Sequence, residues 1–172
     1  MKRLFFALLI MTSFSSFAQS YETIKDDKTG GHFYKGTISF DDLSKEKAFD
    51  WYRSGVDGYK PDGEAIAYLS THLADYDVTT IMGTWCDDSH MWVPKLNKVL
   101  ATANYPMMRH AMYALDRDKK GKNGEEQQYK VTMVPTFIVS RNGKEVGRIT
   151  EMPKKSIEAD LAELIKADQK QR

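Results

Sequence analysis

The feature that most constrains the fold is a short apolar run followed at once by a motif that holds a cysteine. Residues 78–82, Val-Thr-Thr-Ile-Met, are rich in β-branched side chains and predict a buried strand. The motif Trp85-Cys86-Asp87-Asp88-Ser89 follows, and the apolar residues after it recur at helical spacing. This order places Cys86 at the N-terminus of a helix, where unpaired backbone N–H groups and the helix dipole favour a thiolate.

The N-terminal residues predict export. Lys2 and Arg3 precede an apolar run over residues 4–11, and Ser16-Phe17-Ala18 resembles a small-x-small cleavage site. This is the pattern of a signal peptide, predicted here over residues 1–18, with a periplasmic or extracellular destination. The apolar run is shorter than the roughly 20 residues that a membrane span needs, so we expect no membrane association after cleavage.

The net charge and the cysteine count limit the classes of molecule that the protein is expected to bind. Removing residues 1–18 takes Lys2 and Arg3 from the 25 basic residues, which leaves 23 beside 24 acidic ones and a formal charge of −1. Basic and acidic residues are interspersed, so we expect no nucleic-acid partner. Cys86 is the only cysteine. In an oxidising compartment it is therefore either buried and inert, or a free thiol that meets an external partner.

The sequence predicts three segments: the signal peptide over residues 1–18, an N-terminal extension over residues 19–60, and a domain over residues 61–172. In the extension, the polar residues 19–31 predict a loose arm, residues 33–38 a strand, and the stretch after Asp41 or Asp42 one helix that ends at Gly55 and Gly58. The extension is expected to pack on the domain or to be loosely tethered to it.

In the domain, the sequence pattern predicts alternating helices and strands followed by a hairpin. The expected elements are a helix over 65–73, a strand over 78–82, a helix over 87–103, a strand over 107–115, a helical turn over 125–129, strands over 135–140 and 145–149 joined by the turn 141–144, and a helix over 154–167. This order predicts an α/β fold of three layers, α/β/α, with a mixed central sheet that has helices on both faces.

Four features, in this order and on these elements, resemble the thioredoxin superfamily over residues 65–165. They are Trp85-Cys86 after a buried strand, Pro94 inside the following helix, Val134-Pro135-Thr136-Phe137, and Asn142-Gly143 in the hairpin. The motif Trp-Cys-x-Asp-Ser is similar to that of bacterial secreted thioredoxin-like proteins with one thiol. The resemblance implies a thioredoxin-like fold, with a cis peptide bond at Pro135 that sets the backbone of Val134 beside Cys86.

The resemblance also implies roles for individual residues. Cys86 would be the nucleophile, and Trp85, Val134 and Pro135 would contact an extended substrate. Ser89 stands where thioredoxins keep the second, resolving cysteine, and its hydroxyl could donate a hydrogen bond to the Cys86 thiolate.

Other positions also depart from the family pattern. Thr80 and Met112 stand where relatives keep a buried acid and a lysine, and Glu151 replaces a glycine near the partner-binding surface. A site that has lost its resolving thiol together with its proton relay is consistent with chemistry built around one sulfur.

Three residues near Cys86 are expected to modulate it. Asp87 and Asp88 oppose a thiolate by repulsion, although carboxylates in a first turn also stabilise a helix by roughly 0.3–1 kcal/mol. His90, four residues past Cys86, could face the sulfur. A Cys–His pair alone makes a poor metal site, so no metal and no cofactor are predicted.

Three hypotheses follow. In the first, the protein is an exported monothiol oxidoreductase, in which Cys86 forms mixed disulfides with protein or small-molecule thiols and disulfides. In the second, it is a non-catalytic peptide-binding or chaperone-like module with an incidental cysteine. In the third, Cys86 is an inert thiol in a structural relic.

Overall fold

The computed structural model describes residues 20–171 and contains a six-stranded mixed sheet. The strand order is β1-β2-β4-β3-β5-β6, and among the described strands β3 and β4 pair in parallel while the other pairs are antiparallel. The strands are β1 (Tyr21–Lys25), β2 (His32–Thr37), β3 (Asp77–Met82), β4 (His110–Ala114), β5 (Thr136–Arg141) and β6 (Lys144–Thr150). The predicted signal peptide, residues 1–18, lies outside the described residues.

Over residues 20–171, six α-helices accompany the sheet, and side-chain caps begin three of them. Ser39 and Asp42 form a reciprocal capping box, while Asp62 and Ser156 each accept a hydrogen bond from a backbone N–H in the first turn. The helices are α1 (Phe40–Lys45), α2 (Asp50–Asp57), α3 (Gly63–His72), α4 (Asp87–Thr102), α5 (Glu125–Gln128) and α6 (Ile157–Lys170).

The two faces of the sheet are covered unequally. Val78 and Met82 of β3 point into the main core, which includes apolar residues of α1, α2, α3, α4 and α6. Ile81 points the other way, into a smaller cluster with Leu115, Val131, Val134 and Ile138. That second layer consists of α5 and loops. The mixed sheet between two layers confirms the predicted thioredoxin-like α/β/α fold, with one thick layer and one thin layer.

The prediction of a loose arm over residues 19–31 is wrong for residues 21–25. These residues form β1, which pairs with β2 from Tyr21↔Gly36 to Lys25↔His32. Strand β2 in turn pairs with β4 at Gly36↔Ala114 and Thr37↔Tyr113. An edge strand with mostly exposed side chains carries little apolar periodicity, which explains why the local pattern did not indicate it.

The prediction of one helix after Asp41 is also wrong. The chain forms two helices, α1 and α2, because Glu46 adopts an extended conformation and ends the first. Helix α2 packs against α4, and Gly55 makes this possible, since a Cβ on Gly55 would lie 2.8 Å from Cβ of Pro94. Residues 107–109 form a 3-10 turn that leads into β4 rather than the start of that strand.

Within residues 20–171, no helix combines the length and the apolar character that crossing a membrane requires.

Candidate active site

The turn between β3 and α4 positions Cys86. Its backbone N–H donates to the carbonyl of Gly83 at 3.0 Å, and its own carbonyl accepts from the N–H of His90 at 3.0 Å, in the first turn of α4. Cys86 is the N-cap residue of this helix and has an extended backbone. Cys86 is a partly exposed residue whose side chain makes no cap hydrogen bond, and it lies at the helix end where the first N–H groups have no partner within the helix.

The loop before β5 lies against this sulfur. The Val134–Pro135 peptide bond is cis, as the resemblance implied. The Cys86 thiol donates a hydrogen bond to the Val134 carbonyl, with 3.4 Å between Sγ and the oxygen. Pro135 connects this loop to β6, because its carbonyl accepts from the N–H of Glu151 at 2.8 Å. The structure therefore brings together Cys86, Val134 and Pro135.

Trp85 lies beside the cysteine, and its indole makes a hydrogen bond through Nε1 and a cation–π contact through the ring face. Its Nε1 donates to the Leu115 carbonyl at 2.8 Å, and the Arg117 guanidinium lies 5.3 Å from the ring centroid. The indole also crosses Gly83, where an added Cβ would lie 2.7 Å from Cε2 of Trp85. These contacts fix one indole edge and one indole face next to Cys86.

Ser89 is fully buried beneath the turn. Its Oγ accepts a hydrogen bond from the backbone N–H of Gly83 at 3.2 Å. Within the described part of the chain it makes no hydrogen bond with Cys86, so the expected contact between hydroxyl and sulfur is not made. Ser89 stabilises the turn that holds the cysteine, and a direct role in chemistry stays a prediction.

Thr80, which by the resemblance stands where relatives keep a buried acid, contacts a histidine. Thr80 is fully buried, and its Oγ1 lies 2.9 Å from Nε2 of His110. Burial lowers the pKa of His110 from 6.5 to about 4, so the imidazole is neutral at pH 7. The ring stacks on Phe40 of α1, with 4.6 Å between centroids. Met112, the register partner of Thr80, is buried as well.

The three predicted modulating residues lie in the first turn of α4. The side chain of Asp87 is fully exposed, and Asp88 is partly exposed. The ring of His90 stacks on Trp51 at 4.2 Å, and its Nε2 donates to the Thr84 carbonyl at 2.8 Å. Its Nδ1 lies 3.9 Å from the Asp87 carboxylate. Among residues 20–171, no group of three or more metal-ligating side chains is close enough to hold a metal ion.

The sequence analysis missed the residues that the extension contributes to the site. Asp26 is 3% exposed and accepts hydrogen bonds from Nε and Nη2 of Arg117, at 2.8 and 2.6 Å. This guanidinium holds the pKa of the Asp26 carboxyl far below its usual range. In addition, the backbone N–H of Tyr34 donates to Oγ1 of Thr84 at 2.9 Å. Asp26 and Arg117 are separated by 91 residues, so no local pattern could have paired them.

The geometry agrees with comparisons to known proteins. A family model described as Thioredoxin matches residues 72–166. Among solved structures, a thioredoxin from Fasciola hepatica is 22% identical over 59% of this chain and 88% of that chain, with a TM-score of 0.38. Mitochondrial thioredoxin 3 from Saccharomyces cerevisiae is 20% identical over 66% of this chain and 99% of that chain, with a TM-score of 0.38.

A third solved structure, of a protein of unknown function from Pseudomonas aeruginosa, is 13% identical over 73% of this chain and 80% of that chain, with a TM-score of 0.47. No curated protein matches the sequence. The family model covers more than half of the 172 residues, and it includes the cysteine turn, the α4 helix and the Val134–Pro135 loop. On this match, the chain belongs to the thioredoxin family.

Proposed function

We propose that the protein is an exported monothiol member of this family that exchanges thiols and disulfides through mixed disulfides at Cys86. The observation that carries the proposal is the position of Cys86, a partly exposed residue at the start of α4 whose sulfur lies 3.4 Å from the Val134 carbonyl, beside Pro135. Backbone groups of this loop can pair with an extended peptide, and such pairing would align a substrate sulfur with Cys86.

The reaction needs one sulfur on the protein. The Cys86 thiolate attacks one sulfur of a disulfide, a new S–S bond forms as the old one breaks, and the departing thiolate takes a proton from water. Because the chain has no second cysteine and a serine hydroxyl does not attack disulfides at neutral pH, the mixed disulfide persists until an external thiol attacks it. The partners are therefore thiols and disulfides of proteins or small molecules.

Oxidised glutathione tests the proposal directly. Incubation of the folded protein at pH 7 is expected to add one glutathione at Cys86, visible in the intact mass and removable by a reductant. The variant Cys86→Ser is the matched control and is expected to keep its mass. A folded wild-type protein that acquires no adduct would disprove the exchange function.

A second variant tests the monothiol character. Ser89→Cys places a thiol three residues on, one helical turn below Cys86, where it can attack the mixed disulfide. The glutathione adduct of this variant is expected to resolve by itself, with release of glutathione and formation of a disulfide within the chain. Ser89→Ala is the control, and its adduct is expected to persist. Persistence of the adduct in both variants would contradict the proposed resolution step.

Export rests on the N-terminal pattern of Lys2, Arg3, the apolar residues 4–11 and Ser16-Phe17-Ala18. Expression of the full chain in a Gram-negative host is expected to yield a periplasmic or secreted product that begins at Gln19. The N-terminal sequence of that product measures this, and a product that retains Met1 would disprove cleavage.

A binding module with an incidental cysteine is the second candidate. It is favoured by the uncharged pair of buried Thr80 and partly buried His110, which offers the sulfur no charged proton relay. In that case Cys86→Ser would leave capture of an extended peptide unchanged. In the exchange function, the same substitution abolishes covalent capture. The partial exposure of Cys86 supports a reactive thiol over an inert one.

A further inference from the structure

A cleft opens beside the turn that holds Cys86. It lies between the region that the family model matches, residues 72–166, and the extension, residues 20–60. It has a volume of about 230 Å³, and both sequence neighbours of the cysteine, Trp85 and Asp87, line it. The opposite wall comes from the turn between β1 and β2, which includes Asp26, and from the segment before α2 together with Trp51 in the first turn of α2. We call this cavity the extension cleft. Cys86 itself is not among the lining residues, but the residues on either side of it are, so the turn that holds the cysteine adjoins a pocket that residues 72–166 alone do not form.

The extension cleft contains one carboxylate without a strong ion pair. Asp26 and Arg117 both line it, but they neutralise each other through two hydrogen bonds. Asp87 has a fully exposed side chain, and its ionic neighbour is His90 at 3.9 Å, which carries charge only when protonated. The lining also includes His32. With both imidazoles neutral, the formal charges of Asp26, Arg117 and Asp87 sum to −1, and that charge is located at Asp87.

Aromatic rings supply most of the rest of the lining near Asp87. Trp51 stacks on His90 at 4.2 Å and lies 5.6 Å from Phe49. Trp85 has the Arg117 guanidinium 5.3 Å from its ring centroid, which shows that this indole already accepts a cation at its face. Tryptophan faces attract cations, and a carboxylate beside them adds to the attraction.

We propose that the extension cleft binds a positively charged group of the disulfide substrate, an ammonium or a guanidinium, next to the sulfur that Cys86 attacks. The inference rests on the proposed exchange function and names its substrate class: disulfides flanked by a basic group. The chemical step is the same, with the S–S bond of the substrate broken as the bond to Cys86 Sγ forms. The cation lies between Asp87 and the Trp51 ring and takes no part in bond making.

Three small disulfides of different charge test the inference. Cystamine has an ammonium on each half, hydroxyethyl disulfide is neutral, and dithiodipropionate has carboxylates. The rate of adduct formation at Cys86 is measured for each by intact mass at pH 7. Each rate is divided by the rate for a peptide spanning residues 84–90, which has the same local acids and no cleft. The normalised rate is expected to be about three- to fivefold higher for cystamine than for the neutral disulfide.

Two matched substitutions assign the preference to the cleft. Asp87→Asn is expected to reduce the normalised preference for cystamine to near one, because Asp87 lines the cleft. Asp88→Asn, one residue on and outside the lining, is expected to keep it. Trp51→Leu should lower the preference as well, and the Asp87 comparison stands on its own if the Trp51 variant does not fold.

The outcomes separate this inference from the proposed function. Equal normalised rates for the three disulfides in the wild-type protein would overturn the inference while leaving exchange at Cys86 intact. A preference lost in Asp88→Asn and kept in Asp87→Asn would also overturn it, because the preference would then come from the general field of the helix. Failure of all three disulfides to react would overturn both.

Discussion

Residues 72–166 and residues 20–60 both contribute to the surroundings of Cys86, but they contribute different things. The family region supplies backbone: the N-cap position of α4, the carbonyl of Val134 and the N–H of Gly83. The extension supplies mainly side chains, such as Asp26 against Arg117 and Trp51 against His90. A main-chain framework recurs across a family, whereas the side chains around it set what one member binds.

The extension affects two properties of the protein: its folding stability and the surroundings of Cys86. The extension is joined to the family region by strand pairing, by a buried ion pair and by helix packing, so its loss would change both. The following substitutions test two of these connections, the ion pair and the helix packing, and then two residues of the family region. They are ordered by the expected change in the free energy of unfolding, which for His110 is given per pH unit.

The ion pair between Asp26 and Arg117 is expected to have the largest effect. Asp26→Ala leaves the guanidinium without its buried partner and should lower the free energy of unfolding by about 3 kcal/mol. Urea denaturation measures this, and Asp27→Ala, an exposed neighbour, is the control with little expected effect. Equal losses in the two variants would show that the ion pair does not hold the extension to the core.

Helix packing between the two regions is the next connection. Gly55→Ala introduces a Cβ that would lie 2.8 Å from Pro94, and we expect a loss of about 1–3 kcal/mol as α2 moves away from α4. Gly63→Ala, at the start of α3 with no atom within 4 Å of the added Cβ, is the matched control. A stabilised Gly55→Ala variant would mean that the contact is not tight.

His110 of β4 stacks on Phe40 of α1, and its titration makes the free energy of unfolding depend on pH. Its pKa is about 4 when folded and 6.5 when unfolded, so the unfolded chain binds more protons between these values. The free energy of unfolding should therefore fall as the pH falls from about 6.5 to about 4, by up to ~1.4 kcal/mol per pH unit. Urea titrations at several pH values measure the slope. The slope should be smaller in His110→Asn, and an unchanged slope would contradict the assignment.

Substitution of Glu151 is expected to change the free energy of unfolding least. This residue belongs to the family region, residues 72–166. Its backbone has a φ of 61°, a conformation that glycine adopts without cost. Glu151→Gly is expected to raise the free energy of unfolding by about 0.5–1 kcal/mol. Glu151→Ala removes the same charge and keeps the unfavourable backbone, so thermal denaturation of the pair distinguishes backbone strain from charge. Equal stability of the two variants would assign the effect to charge.

The sequence predicted the family region better than the extension, and the reason is the range of the interactions. The strand at residues 78–82, the helix after Cys86 and the hairpin at Asn142-Gly143 follow from periodicity and turn chemistry within a few residues. The cis bond at Pro135 followed from the resemblance. Strand β1 is a polar edge strand, and the Asp26–Arg117 pair joins residues 91 positions apart. Neither leaves a local signal, so the wall of the extension cleft could be found only in three dimensions.

The hairpin of β1 and β2 has one more consequence, which concerns solubility. It covers the edge of β4, where a chain shortened to the family match would expose unpaired N–H and C=O groups beside Met112 and Ala114. Bare strand edges of this kind recruit other chains. The outermost strand is instead β1, which is five residues long and carries exposed Glu22 and Lys25. The hairpin of β1 and β2 therefore protects the edge of β4 against pairing with other chains, independently of anything it does for the cysteine.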